Sequence, residues 1–306
     1  MLKELVFYGT FPLHLGRLCG KNLWARMQGG WVDVGVLVLD RQVIHYEVLG
    51  QGEPVLFLHG WMGSWRYWLP TMEAVAQHFR AYSFDFWGFG DSDKQSEAHT
   101  IEEYVDQVLR FLDGMGIARC RLVGHSMGGM VSLKTAIEHP DRIVRVVTAG
   151  AVIEGSALAP LLKMTTNQLI TRLFIRRSVV TGIWSRLMHN IRSGWNRWFQ
   201  EVVDDSAKSD QAAVWESVRS MRQTDLRPDL PRLEVPALII HGARDDIVDP
   251  DQADIFEEIH VPAARVIVMP KCRHFPFMDE PEAFSRLLLN FLREQEAPPR
   301  QAPGTQ

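Results

Sequence analysis

The sequence predicts an α/β fold, a mostly parallel sheet with helices on both faces. Three observations predict it. From residue 31 onward, short apolar runs alternate with segments of helical periodicity. The central runs are continuously apolar, as strands covered on two faces must be. Several of them end in Gly, His, Asp or Ser, which places reactive groups at strand carboxyl ends, where open α/β sheets build their sites.

In chain order, Val34–Leu39 and Val43–Val48 read as a hairpin around Asp40 and Arg41, an antiparallel edge to the sheet. Pro54 opens the strand Val55–Leu58, which ends at His59 and Gly60. A helix over Thr71–His78 leads to the strand Ala81–Phe84, ending at Asp85. Ile101–Leu112 is a helix with Thr100 as its cap and Glu103 three residues on, a capping box. Cys120–Val123 is the next strand, followed by a helix up to His139-Pro140 and the strand Ile143–Val147. Ala237–Ile240 and Arg265–Met269 read as further buried strands, alternating with helices near 250–259 and 281–293.

Residues 152–228 break the alternation. They show no clear strand, but long helix-compatible stretches with Trp184, Trp195, Trp198 and Trp215. The expectation is a helical cap inserted between the sixth and seventh predicted strands, lying over their carboxyl ends. The chain therefore divides into an N-terminal extension (1–30), a core (31–151 and 229–295), the cap, and a Pro-rich polar tail (296–306) expected to be disordered.

With 306 residues, 46% of them hydrophobic and 23% charged, the composition is that of a soluble globular protein. The formal net charge of -4 gives no reason to expect a nucleic-acid partner. Cys19, Cys120 and Cys272 are far apart and lack metal-ligand spacing, so reduced thiols in a cytoplasmic protein are expected. The apolar segment Leu5–Leu13 contains Pro12 and is too short to span a bilayer. It is read as an extension packed on the core, with peripheral membrane contact through residues 1–20 as the alternative.

The most informative stretch is Leu122–Met130, Leu-Val-Gly-His-Ser-Met-Gly-Gly-Met. A strand precedes Ser126, and after it Met130, Val131, Leu133, Ala136 and Ile137 recur at helical spacing. Ser126, flanked by Gly124 and Gly128 at such a junction, has the pattern of a nucleophile elbow. The turn is too tight for side chains two positions either side. It lifts the hydroxyl out of the sheet and sets the unpaired N–H groups of a helix N-terminus beneath it. Acyl transfer by serine also needs a base, an anion to orient that base, and donors for the developing oxyanion.

Over roughly residues 36–294 the sequence resembles the α/β-hydrolase fold family, in particular its capped esterase and lipase-like members. The resemblance rests on separated motifs in the expected Ser, Asp, His order. Leu238–Val248 resembles the family's strand and acid loop, which implies Asp245 as the catalytic acid, three residues after Gly242 and two before Ile247. Asp246, Asp249 and Asp251 compete on position, but suit solvent-facing or helix-capping roles better. Glu154 is the candidate if the acid instead follows the sixth strand. Val268–Pro281 resembles the histidine loop and implies His274 as the base. The family's usual Gly before that His is replaced by Arg273, which puts an extra cation near the base.

Phe57–Gly63 resembles the oxyanion-hole strand end, with the backbone N–H groups of Trp61 and Met127 as the implied donors. His59 is read as a structural loop histidine, and Trp61 as a wall of the acyl pocket. Phe84–Asp93 is a further family hallmark. Its acids Asp85 and Asp91 are expected to bond backbone amides, not a metal, since no His or Cys joins them in sequence. The resemblance implies no metal and no cofactor.

The implied function is carboxylesterase- or lipase-like hydrolysis of carboxylic esters, with a small-molecule, hydrophobic ester as the expected substrate, through an acyl-enzyme on Ser126. Carbon–carbon bond hydrolases, perhydrolases, aminopeptidases and acyltransferases share this triad and remain alternatives, because the cap and pocket decide among them. Haloalkane dehalogenases and epoxide hydrolases are disfavoured, since they carry Asp at the elbow. A non-catalytic binding protein on this fold is disfavoured by the intact Ser126, Asp245 and His274.

Overall fold

The computed structural model describes residues 23–27, 30–39, 41–94, 99–159, 199–294 and a few single positions between 172 and 185. The segment 1–20 with Cys19, the residues Trp184, Trp195 and Trp198, and the tail 296–306 lie outside the described residues. Nine strands form one sheet: β1 (Leu23–Met27), β2 (Gly30–Leu39), β3 (Gln42–Leu49), β4 (Pro54–Leu58), β5 (Arg80–Phe84), β6 (Cys120–His125), β7 (Ile143–Ala149), β8 (Ala237–Gly242) and β9 (Ala264–Met269). Their spatial order is β1-β2-β3-β5-β4-β6-β7-β8-β9. The pairs β1–β2, β2–β3 and β3–β5 are antiparallel, and every other pair is parallel.

The predicted hairpin is there, with Leu39 opposite Gln42 and Val38 opposite Val43. Two features differ from expectation. The sheet begins earlier, because β1 lies within the stretch read as an extension and pairs with β2 from Leu23 opposite Val34. The run Arg265–Met269 is not a buried strand. It lies in β9, which ends the sheet order and among the described residues pairs with β8 alone, and its faces are only partly covered, with Val268 44% exposed. Continuous apolarity signals two covered faces, but it carries no information about a free edge.

The described helices are α1 (Leu69–Val75), α2 (Ile101–Gly114), α3 (Met127–Glu138), α4 (Phe199–Ala207), α5 (Gln211–Gln223), α6 (Ile255–Glu258), α7 (Pro276–Asp279) and α8 (Pro281–Leu292). Thr100 caps α2 by accepting the Glu103 N–H at 3.2 Å, one half of the predicted capping box. The helix expected near 250–259 is split into a 3₁₀ turn over Pro250–Ala253 and the short α6. Beneath one end of the sheet Trp68 stacks on Phe277, ring centroids 4.3 Å apart, which fastens α1 to the segment after β9.

The sheet order decides where chemistry can sit. From β4 the chain moves to one side to form β5, and then returns to the other side of β4 to form β6. A crevice opens at such a reversal, outside the carboxyl ends of the two strands. Here those ends carry His59-Gly60 and Ser126.

Candidate active site

Ser126 joins β6 to α3 with φ 51° and ψ -115°, a conformation that L-residues other than Gly rarely adopt. Its neighbours hold it there. A Cβ on Gly124 would lie 2.2 Å from the Gly128 carbonyl oxygen, and one on Gly128 would lie 2.4 Å from that of Leu58. Both glycines are required by backbone packed against them, which cannot step aside as a side chain can. Gly128→Ala is expected to destabilise the fold by about 3 kcal/mol, the upper end for overpacking. Urea denaturation checks this, and an unchanged midpoint would mean that β4 yields freely. Ser126 N–H donates to Ala149 O (3.0 Å), and its carbonyl accepts from Gly129 and Met130, so the elbow is anchored to β7 and α3. A Cβ on Gly60 would lie 3.1 Å from Ser126 Cβ, so the end of β4 abuts the elbow directly.

Asp245 follows β8 and His274 follows β9, and both are buried. His274 Nδ1 and Asp245 Oδ2 are 2.8 Å apart. The other carboxylate oxygen accepts the amides of Ile247 (2.9 Å) and Val248 (3.0 Å). Burial works to raise the Asp245 pKa, but His274, the Val248 amide and His241 outweigh it and hold the carboxyl below its usual range. An ionised acid therefore faces the imidazole. No hydrogen bond joins Ser126 Oγ to His274 among the described residues, although the His125 ring next to Ser126 is 4.7 Å from the His274 ring. In free enzymes such a bond is often long and closes only around substrate.

The competing carboxylates do other work. Asp246 and Asp251 are exposed, and Asp249 accepts the Asp251 N–H to cap the turn after it. Glu154 is paired with Arg227 at 2.6 Å. Arg273, which stands where Gly was expected, donates its backbone N–H to Asp279 Oδ2 at 2.6 Å and so braces the histidine loop against α7.

The loop after β4 is gripped from above by α4 and α5. Trp61 Nε1–H donates to Val214 O (3.0 Å), Ser206 Oγ to Met62 O (2.6 Å), and Ser64 Oγ to Asp205 Oδ2 (2.9 Å). Arg66 adds an ion pair to the same Asp205 oxygen at 2.8 Å, and Lys208 reaches from Asp205 across to Asp91. Asp205→Ala would leave the Arg66 guanidinium, four-fifths covered, without its partner. The expected cost is about 3 kcal/mol. A loss below about 1 kcal/mol in denaturant titration would show instead that solvent screens the pair.

His59 is fully buried and structural, as expected. Its Nε2 accepts the Phe86 N–H (2.9 Å), so Nδ1 holds the proton and donates to Gly60 O (2.8 Å). Burial pushes its pKa down to about 4. Asp85 accepts the Trp65 and Asp91 amides, each at 2.8 Å, as predicted for a turn-forming acid. Burial raises its pKa to about 6. Asp91, by contrast, spends its side chain on Lys208.

The expectation that no histidine joins these acids is overturned. His45 from β3 stands with them, and potential ligand atoms of His45, Asp85 and Asp91 lie within 4.8 Å of one another. The cause is the β3–β5 pairing, which sets Asp85 beside His45 through the bond from Asp85 N–H to His45 O. Both acids are nevertheless engaged by other groups, while His45 Nε2 has no hydrogen-bond partner among the described residues. Asp85 holds two amides, Asp91 holds Lys208, and His45 faces Glu47 at 3.3 Å.

Residues 53–281 match the model of the alpha/beta hydrolase fold family. The chain belongs to that family. It is 25% identical over 267 residues to the pimeloyl-[acyl-carrier protein] methyl ester esterase of Nitrosomonas europaea, covering 79% of this chain and 96% of the relative. It is 28% identical over 255 residues to the Vibrio vulnificus protein of that name, covering 81% and 97%. Among solved structures, an esterase from Exiguobacterium antarcticum superposes with a TM-score of 0.74 at 22% identity, covering 85% of this chain and 98% of that one, which shows the shared fold.

Within this alpha/beta hydrolase, sequence reasoning missed two buried polar residues beside the elbow, Tyr67 and His125. Tyr67 OH lies 3.1 Å from His125 Nδ1, and His125 Nε2 lies 2.9 Å from the His274 carbonyl. His125 is visible in sequence only as the unspecified position before Ser126 in the elbow pattern. Tyr67 carries no motif at all.

Proposed function

We propose that this protein hydrolyses carboxylic esters through an acyl-enzyme on Ser126, with His274 as base and Asp245 as its orienting acid. What supports this most directly is the buried 2.8 Å contact between His274 Nδ1 and Asp245 Oδ2 beside a strained serine elbow. In this reading Ser126 Oγ attacks the ester carbonyl while His274 Nε2 takes its proton. The ionised Asp245 holds the proton on Nδ1 and stabilises the imidazolium. The amides of Met127, at the open first turn of α3, and of Trp61 receive the oxyanion. Each such donor is worth roughly 3–4 kcal/mol in acyl transfer. His274 then protonates the departing alcohol and activates the water that releases the acid.

Residues 152–228 are proposed to act as the cap over this site. Their described helices α4 and α5 already contact the oxyanion loop, and Trp61, held between loop and α5, offers an apolar wall to a small hydrophobic ester. The substrate class also draws support from the Nitrosomonas europaea and Vibrio vulnificus relatives, which are methyl ester esterases by name. No helix among the described residues is long and apolar enough to cross a membrane. Peripheral contact through residues 1–20 and a cytoplasmic location remain proposals, the first tested by vesicle co-sedimentation with and without that segment.

The test of the function is twofold. A fluorophosphonate probe at about pH 8 should label Ser126, and p-nitrophenyl esters from acetate to palmitate, together with simple methyl esters, should reveal a preferred chain length. Absence of labelling overturns the serine-hydrolase proposal. Labelling with no turnover of any ester would replace the ester by a carbon–carbon or amide bond as the target.

A further inference from the structure

We infer that Tyr67 and His125 form a positioning device that holds the His274 loop and the oxyanion loop in register around Ser126. The inference rests on the ester-hydrolase proposal above and adds to it two residues to which the sequence motifs give no role.

The direction of every bond in this relay is dictated by its ends. The backbone N–H of Gly60 donates to the Tyr67 oxygen. The single phenolic proton is then free to go to His125 Nδ1, 3.1 Å away. At the far end the His274 carbonyl only accepts, so His125 Nε2 must carry the proton it donates over 2.9 Å. The imidazole is thereby fixed as its neutral Nε2–H tautomer. Protonating it would put a second proton on Nδ1, facing a hydroxyl already committed as donor.

The surroundings agree with this. His125 and Tyr67 are both buried, and the imidazole lies among the rings of Trp68, Phe275 and Phe277. Burial, reinforced by the nearby His274, pushes the His125 pKa well down, and burial pushes the Tyr67 phenol well up. Both therefore keep their protons where the relay needs them across the working pH range.

The relay begins one residue before Trp61, an oxyanion donor in the proposed mechanism, and ends on the backbone of His274, the proposed base. Between them it passes through the residue next to Ser126. Three loops from β4, β6 and β9 are thus joined by polar contacts that reach no substrate. Small errors in such registration are expensive, since a misplacement of about 1 Å in reacting groups costs on the order of 100-fold in rate.

The test uses full-length protein, with wild type compared against Tyr67→Phe, His125→Phe and His125→Gln. Phe at position 125 keeps a ring among its aromatic neighbours but offers neither donor nor acceptor. Gln keeps an amide N–H close to the former Nε2. Tyr67→Phe and His125→Phe are expected to lower both kcat and the rate of fluorophosphonate labelling roughly ten- to a hundredfold, with KM within about twofold. His125→Gln should recover most of the loss. Nitrogen-15 NMR should find wild-type His125 as a single Nε2–H tautomer from about pH 5 to 9.

If either Phe variant labels at the wild-type rate while its melting temperature falls, the relay is structural only and the inference is overturned. A His125 that titrates in that range, or carries its proton on Nδ1, overturns it as well. Should one Phe variant fail to accumulate, the other decides by the same measurement. A wild type that the probe cannot label is a different failure, because it removes the hydrolase proposal itself.

Discussion

Ser126→Ala is expected to lower ester turnover by on the order of 10⁶-fold, the scale found when a triad serine is removed from other hydrolases. The residual rate should remain above the uncatalysed one, because the amides of Trp61 and Met127 would still bind the carbonyl oxygen. Folding should be nearly unaffected. The φ of 51° is held by packing of Gly124 and Gly128 against backbone, and among the described residues Ser126 Oγ makes no hydrogen bond that the fold would miss. Steady-state rates on the preferred p-nitrophenyl ester, with the melting temperature as control, check both halves. A loss below about tenfold would remove Ser126 as nucleophile.

The same substitution separates what was legible in the sequence from what was not. Ser126, Asp245 and His274 can be picked out because each stands in a short motif just beyond a parallel strand. Parallel strands send all their carboxyl ends to one edge, so three distant motifs converge without any need to see the fold. The parallel order itself follows from alternating strands and helices, and the hairpin around Asp40 and Arg41 from its spacing. The free edge was not legible. Val266–Met269 is as apolar as a central strand, and only the order of pairing shows that one side of β9 is open among the described residues. Nor was β1, because a strand at the sheet's edge, paired with β2 on one side, needs no special pattern.

Polar partnerships between distant loops were the least legible of all. His45 joins Asp85 because two antiparallel strands bring them side by side, and Asp205 reaches Ser64 and Arg66 across 141 and 139 positions of chain. A histidine before the elbow serine reads as a spectator until Tyr67 is found behind it. These contacts share one physical trait. They satisfy buried groups one at a time, with partners chosen by proximity in space, so they leave no periodic or spaced signature in the sequence. They also concern the loops that must stay aligned, which makes the grip of α4 and α5 on the loop after β4 part of the site as well as part of the core.

Asp245→Asn is expected to reduce kcat by about 10⁴-fold while leaving the fold intact. The structure explains why so conservative a change should be so costly. Asp245 Oδ1 accepts two backbone amides, from Ile247 and Val248, and an amide nitrogen cannot accept them. The carbonyl oxygen of the substituted side chain is therefore confined to that side, and its NH₂ group is turned toward His274. A donor now faces Nδ1 across 2.8 Å, where a carboxylate oxygen stood. To accept from it, His274 must give up the Nδ1 proton and carry one on Nε2 instead, which is the nitrogen that has to receive the proton of Ser126. The base is then blocked by its own tautomer, and no rotation of the new amide can release it without stranding two buried amides. Comparison of kcat for Asp245→Asn and Asp245→Ala is the decisive measurement. Ala leaves Nδ1 without a wrong partner, so the Asn variant should be at least as slow as the Ala variant. An Asn variant that retains more than about a tenth of wild-type kcat would mean that the carboxylate is not the orienting acid.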